Sequence, residues 1–209
     1  MRLRNIKNSE EIMKNSKYLI KEPHLYRGKW QDVFNNKKPI HLEIGIGLGN
    51  FILENAKKNP QINYIGVEKF TKVIVRALKK IEREEVPNLK LILIDALEID
   101  NIFFKEIESL FLNFSDPWPK DKHINRRLTS DVFIEKYQLI LKRPFKIIQK
   151  TDNYKLYLYS LSQYQKYKFI CQTIEYSLKN IPDNNIQTEY ETKFLNQGNS
   201  IYKIDVSLS

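Results

Sequence analysis

An α/β fold is predicted: a mainly parallel seven-stranded sheet with an antiparallel edge and helices on both faces. Three observations predict it. Short apolar runs alternate with helix-periodic segments through most of the 209 residues. The first run enters a turn holding Gly45, Gly47 and Gly49, half of the six glycines in the chain. A strand, a tight glycine turn and a helix are how such a sheet holds a nucleotide-like ligand. Finally, the strands end in or run into carboxylates, Glu43, Glu68, Asp95, Asp116 and Asp152, and ligands of these sheets sit beyond the carboxyl ends of the strands.

Taken in order, residues 1–30 form a basic, aromatic N-terminal arm, with Lys14, Lys17, Lys21, Arg27 and Lys29 interleaved with Tyr18, His24, Tyr26 and Trp30. The arm can lie along RNA, or it can pack its aromatics on the single domain expected over 31–209. A helical turn at 31–36 precedes the first strand, 40–44. A helix over 50–58 ends at Asn59-Pro60, and 64–68 is a second buried strand. Val73, Ile74, Ala77, Leu78 and Ile81 recur at helical spacing and predict a helix from Thr71 to about Glu85. The third strand is 89–94, 102–107 reads as a short helix, and 109–114 is the fourth strand. Thr129 or Ser130 caps a helix reaching about Lys142, which Pro144 follows. A fifth strand over 145–149, a Tyr-rich helix over 153–166 and two last strands, 167–174 and 201–208, complete the sheet. The polar stretch 180–199 is long for a loop, which marks it as functional.

The totals exclude several classes. One cysteine, Cys171, rules out an intramolecular disulfide framework and reads as a small core residue. No run approaches the roughly 20 apolar residues of a membrane span, and the polar N-terminus lacks the core of a signal peptide, so a cytoplasmic protein is expected. Thirty-five Lys and Arg against 25 Asp and Glu leave a formal charge of +10. That balance favours a polyanion such as nucleic acid, although biased base composition also produces it.

Glu68 lies 19 positions after Gly49, the separation at which a carboxylate accepts hydrogen bonds from ribose hydroxyls. Asn50 occupies the place where a dinucleotide fingerprint needs its third glycine. Gly-x-Gly-x-Gly with Glu43 two residues before it resembles the S-adenosylmethionine turn of Rossmann-like methyltransferases, and Asp95 would then meet the adenine amino group. In Asn113-Phe-Ser-Asp-Pro-Trp-Pro-Lys120 two prolines hold a rigid loop beside Asp116. Trp118 in that loop reads equally well as a hydrophobic plug.

Here the chain resembles the bacterial tRNA (guanine-N7-)-methyltransferases, class I enzymes of Rossmann-like fold that modify a guanine in the tRNA variable loop. The match is carried by His41-Leu-Glu-Ile-Gly-Ile-Gly-Leu-Gly49, Tyr64-Ile-Gly-Val-Glu68, Leu112-Asn-Phe-Ser-Asp-Pro-Trp-Pro-Lys120, Arg126-Arg-Leu-Thr129, Lys150-Thr-Asp-Asn153 and Thr188-Glu-Tyr-Glu-Thr-Lys-Phe194. The resemblance implies that Glu43, Glu68, Asp95 and Asp116, with Gly45, Gly47 and Gly49, contact S-adenosylmethionine, Asp116 being also catalytic. It implies that Lys120, Asp152, Thr188, Glu189, Tyr190 and Glu191 bind substrate, and that Lys122, His123, Arg126 and Arg127 contact RNA. tRNA is the expected partner of a monomer or homodimer, and no metal is expected. Two departures stand out: Asp121 and Asn125 interrupt the basic loop, and Leu48 stands where the family often has Lys.

Other readings of the same residues remain. Thr188-x-x-Glu191 is also a capping box, and the two roles can coexist. Arg126 and Arg127 are either a solvated pair or phosphate contacts. A non-catalytic RNA-binding protein on a methyltransferase fold and an amino-group methyltransferase of nucleic acid are the competing functions. Guanine N7 carries a free lone pair, so its methylation needs alignment more than a base. None of His24, His41 and His123 sits in a catalytic pattern.

Overall fold

The apolar runs have two faces to bury and therefore pair side by side under helices. The computed structural model describes residues 8–208; residues 1–7 of the arm lie outside the described residues. The strands are β1 (Ile40–Ile44), β2 (Asn63–Glu68), β3 (Leu89–Leu93), β4 (Ile107–Asn113), β5 (Leu141–Thr151), β6 (Ile170–Tyr176) and β7 (Ile201–Leu208). They form one seven-stranded sheet in the order β3-β2-β1-β4-β5-β7-β6. Pairs from β3 through β5 are parallel, and β7 runs antiparallel to both β5 and β6. The last two strands thus make the expected antiparallel pair at one edge, with β7 inserted inside β6.

Alternation in the strands separates two cores. Ile65, Val67 and Ile92 belong to the core beneath α5 (Ile99–Ile102), α6 (Asp131–Ile140) and α7 (Tyr154–Lys166). Tyr64, Leu89 and Leu91 face the other way, into the core formed with α3 (Asn50–Lys58) and α4 (Thr71–Ile81). A third, small cluster of Tyr176, Leu195 and Ile201 seats α8 (Glu189–Asn196) on the sheet beside the antiparallel pair.

The described part of the arm contains α1 (Ser9–Asn15), lies on the domain and leads at Trp30 into α2 (Trp30–Phe34). Between these helices, Leu91 donates to the Tyr18 carbonyl at 2.8 Å and Ile20 donates to the Leu91 carbonyl at 2.9 Å, extending the outer edge of β3. Trp30 is fully buried, its indole donating to the Ile102 carbonyl at 3.0 Å.

Several boundaries differ from the periodicity. Residues 102–107 are not a helix: Asp95 caps a short turn that leads into α5, Phe103 is buried, and Ile107 already starts β4. Packing of the apolar residues there outweighs local helix preference. α4 stops at Ile81, four residues early, in turns at Arg83 and Glu84. β5 begins at Leu141, straight after α6, and the polar stretch 180–199 contains α8. Among the described residues, no helix is long and apolar enough to cross a membrane, and no group of His, Cys, Asp and Glu could hold a metal ion.

Gly66, central in β2, is a close approach: a Cβ there would lie 2.7 Å from Leu91 Cδ2 and 2.8 Å from Ile46 Cγ2, on the strand and turn that shape the cleft described below. Gly66→Ala is expected to lower the unfolding free energy by about 1–3 kcal/mol through overpacking. Urea denaturation measures this, and an unchanged midpoint would show that Leu91 and Ile46 yield freely.

Candidate active site

Parallel strands deliver their last residues to one edge, and there a cleft of about 770 Å³ opens. One wall is the glycine turn. Gly45 and Ile46 both donate to the Val67 carbonyl, at 2.8 and 3.2 Å, which folds the chain back over the end of β1. Gly45 (φ +80) and Gly47 (φ +55) line the cleft with open space where a Cβ would project, a conformation that costs glycine little. Gly49 is placed differently from the other two: it caps α3, and a Cβ on it would meet Ala77 Cβ at 3.1 Å. Its place is between α3 and α4, off the cleft wall.

Three acids stand along this wall. Glu43 is 2% exposed and accepts from Asn113 Nδ2 at 2.9 Å across the β1–β4 boundary. Its Oε2 and Asn113 Oδ1 are buried with no partner, and both residues line the cleft. Burial pushes the Glu43 carboxyl up to about 8, against the Asn113 hydrogen bond, so the free site holds it largely protonated at neutral pH. Glu68 Oε1 accepts from the Lys69 and Phe70 amides, both at 2.9 Å. Burial still raises its pKa, the amide bonds opposing that shift. Asp95 Oδ1 accepts from the Leu97 amide at 3.0 Å, and Phe70 and Leu97, both exposed, line the same cleft.

The proline loop forms the opposite wall. Phe114 and Trp118 both have positive φ, +50° and +40°, conformations that cost a non-glycine residue on the order of 1 kcal/mol or more. Arg127 holds the strained loop: it donates to the Pro117 carbonyl at 3.0 Å and the Trp118 carbonyl at 3.1 Å, and lies 4.4 Å over the Tyr159 ring. Arg127 is therefore a brace and does not line the cleft. Arg126 does, 5.0 Å over the Trp118 ring, whose edge meets His123. Asp116 and Asp152 both line the cleft, Asp116 between Ser115 and Pro117 and Asp152 just after β5. Lys120 and Lys122 lie outside it, at the start of the turn Asp121–Arg126.

From α8 come Thr188, Glu189 and Tyr190, all on the cleft wall. Glu191 points the other way. It is fully buried, accepting from Lys150 Nζ at 3.0 Å, the Tyr176 hydroxyl at 2.6 Å and Asn185 Nδ2 at 2.5 Å. It also closes the capping box with Thr188. Lys150 donates further to Asn185 Oδ1 and the Ile186 carbonyl, and burial lowers its pKa while Glu191 opposes the shift. On the cleft side, Lys80 of α4 is hydrogen-bonded to Asn50 and lies 3.5 Å from Glu189, tying α8 to the glycine-turn helix. The Tyr190 ring is stacked on Phe194 at 24°, and Phe194 meets Phe114 at 5.8 Å, giving the cleft an aromatic file.

Asn113, Phe114, Lys150 and Phe194 went unassigned from the sequence. Lys150, Asn113 and both phenylalanines lie inside the quoted motifs, but nothing local in those motifs separates a cleft wall from a buried clamp.

A family of putative methyltransferases matches residues 37–204. A tRNA (guanine-N(7)-)-methyltransferase of Bacillus cytotoxicus is 46% identical over 198 residues, covering 94% of this chain and 91% of that protein. One from a Geobacillus species is 44% identical over 209 residues, covering 99% and 95%. One from Lachnoclostridium phytofermentans is 42% identical over 207 residues, covering 98% and 97%. Among solved structures, an antibiotic-related methyltransferase superposes with a TM-score of 0.69 at 12% identity, covering 87% and 94% of the two chains. The 16S rRNA methyltransferase KamB gives 0.66 at 9% identity, covering 87% and 93%. At those identities the likeness is one of fold.

Two predictions follow from the buried charges. Because the Glu43 pKa is higher folded than unfolded, the ligand-free chain keeps an extra proton between about pH 4.5 and 8. Stability therefore falls as pH rises through that window, by at most about 1.4 kcal/mol per unit. Glu43→Gln removes the slope, so its melting temperature relative to the parent should climb from about pH 5 to pH 8 and then level off; a flat difference contradicts a protonated Glu43. Glu191→Ala leaves Lys150 buried without its counter-charge and is expected to cost roughly 3–5 kcal/mol. A loss below about 1 kcal/mol in denaturant titration would mean that the ion pair is hydrated and not a clamp.

Proposed function

The chain belongs to the family of tRNA (guanine-N(7)-)-methyltransferases, and from that premise we infer that it transfers a methyl group from S-adenosylmethionine to N7 of a guanine in the variable loop of tRNA. The observation that carries the reading is the meeting, in one cleft, of the glycine turn with its unpartnered acceptors and the Asp116 loop with its aromatic file.

The cofactor fits the residues present. Asn113 Oδ1 and, once the positive charge of a ligand has drawn off the Glu43 proton, Glu43 Oε2 are buried oxygens without partners, suited to the ammonium end of a methionine. Such orphaned buried groups cost about 1–3 kcal/mol each until a ligand satisfies them. Glu68 keeps one carboxylate oxygen free of the Lys69 and Phe70 amides, and would accept from ribose hydroxyls. Phe70 and Leu97 offer apolar side chains to an adenine in the cleft, and Asp95, on the same lining, would accept from its amino group. S-adenosylmethionine supplies an electrophilic methyl group on a sulfonium.

The chain's own task is alignment and charge stabilisation. A guanine lying on the Tyr190–Phe194–Phe114 file would be fixed in plane, which turns a bimolecular step into a positioned one. Asp152 can accept from guanine N1–H and the amino group, a donor pair that adenine lacks. As the base gains positive charge, Asp116 stabilises it in a site partly shielded from water. No histidine or cysteine lines the cleft among the described residues, and N7 has no proton to remove. Burial also lowers His41 to about 4, which leaves it neutral.

In this reading Thr188, Glu189 and Tyr190 face the substrate, whereas Glu191 and Arg127 act by holding the walls. Lys120, Lys122, His123 and Arg126 remain for RNA phosphates, Arg126 being the one on the cleft wall. The enzyme is read as cytoplasmic, acting on tRNA as a monomer or homodimer.

The test is methyl transfer from labelled S-adenosylmethionine to unmodified tRNA, with the product nucleoside mapped. N7-methylguanosine is expected, and product on an adenine or cytosine would overturn the substrate assignment. Asp116→Ala should lower kcat by roughly 10²–10³-fold with tRNA binding little changed; near-normal turnover would remove Asp116 from the mechanism.

A further inference from the structure

One side-chain cluster beside the cleft has no part in this chemistry. Tyr154 and Tyr157, on the first turn of α7, and Tyr202, in β7, form a closed set of three rings. Tyr154 and Tyr157 are stacked at 26° with centroids 5.9 Å apart, and Tyr157 and Tyr202 at 30° and 5.1 Å. Tyr202 also meets Tyr154 at 5.2 Å. None of the three hydroxyls has a hydrogen-bonding partner among the described residues, and Tyr154 is 54% exposed. The three side chains meet through ring contacts, and Tyr154 gives the cluster an aromatic side chain open to solvent.

Its position is set by the sheet. β7 is antiparallel, so its first residues lie where the parallel strands end, and Tyr202 pairs with Thr151, the last residue of β5. Thr151, Asp152 and Asn153 all line the cleft, Asn153 caps α7, and Tyr154 is the next residue. The same helix carries Tyr159, on which Arg127 of the proline loop lies. The rings therefore stand at the rim beside Asp152, on the α7 side of the sheet.

We propose that Tyr154, backed by Tyr157 and Tyr202, is a stacking platform for the nucleobase adjacent to the target guanine in tRNA. A base presented to a cleft leaves its stack, at a cost of a few kcal/mol. The neighbouring base loses a partner at that moment, and an aromatic ring at the rim replaces it without regard to sequence. The chemistry of the patch selects a base over a phosphate: Glu175 of β6 pairs directly with Tyr202 and repels an anion there. The proposal rests on tRNA being the substrate.

The experiment measures equilibrium binding of unmodified tRNA in the presence of S-adenosylhomocysteine, for the parent chain, Tyr154→Ala and Tyr154→Phe. It includes tRNAs made abasic at either nucleotide flanking the target guanine. Tyr154→Ala should weaken tRNA binding roughly 10-fold, with S-adenosylhomocysteine affinity and melting temperature unchanged, and Tyr154→Phe should keep parental affinity. One abasic tRNA should lose a similar factor with the parent chain and nothing more with Tyr154→Ala. Parental tRNA affinity in Tyr154→Ala, or losses that simply add at both flanks, overturns the platform and leaves the cluster to packing or a protein contact. Methylation by the parent chain, measured in parallel, separates the two ideas. N7-methylguanosine formed with Tyr154-independent binding refutes only the platform. Tyr154-dependent binding without N7-methylguanosine supports the platform and refutes only the proposed reaction.

Discussion

The site follows from the reversal of strand order between β1 and β4. The chain leaving β1 turns into α3 on one face of the sheet, and the chain leaving β4 runs to α6 on the other. The two connections diverge, and no backbone fills the crevice between them. Glu43 and Asn113 sit on the two strands at that point and hydrogen-bond across it at 2.9 Å, each with one atom left over. A closed core would not tolerate those atoms unpaired. A ligand site uses them, since the energy absent in the free chain is recovered when a donor arrives.

The walls raised around this crevice are held by basic side chains used internally. Arg127 gives its donors to two carbonyls of a loop with two residues at positive φ. Lys150 neutralises Glu191 in the interior and gathers the segment before α8, while Lys80 links α8 to the N-terminus of α3. The two lysines are matched by carboxylates already counted in the formal charge of +10, so of these braces only Arg127 withdraws a net positive charge from the surface. Of the two arginines in the interrupted basic loop after Lys120, one supports the wall and the other lies on an aromatic ring at the cleft.

Legibility from the sequence varied with the range of the interaction concerned. β1, α3 and β7 were readable to the residue, because a glycine turn, Asn59-Pro60 or an alternating run is a local signal. The helix expected over 102–107 lies earlier, at Ile99–Ile102, with Phe103 buried after it and Ile107 already in β4. Thr188-x-x-Glu191 is the instructive case. The motif is readable as a cap and as a binding stretch, and both are present in different residues. For its carboxylate to reach back to the Thr188 amide, Glu191 must turn inward, so only Thr188, Glu189 and Tyr190 can face the cleft.

By itself the sequence determined the class of fold, the order of the motifs and the acids that end the strands, because those depend on periodicity, turn residues and spacing along the chain. Tertiary structure alone decided which of these groups share a cavity and which are turned away. Gly49 went between two helices, Arg127 to carbonyls and Glu191 to a buried lysine. Asn113, Phe194 and the rim tyrosines gained their places only from strands and helices distant in the chain. The reason is physical: backbone preference acts over a few residues, whereas desolvation and charge pairing are set by whatever the fold brings within a few ångströms.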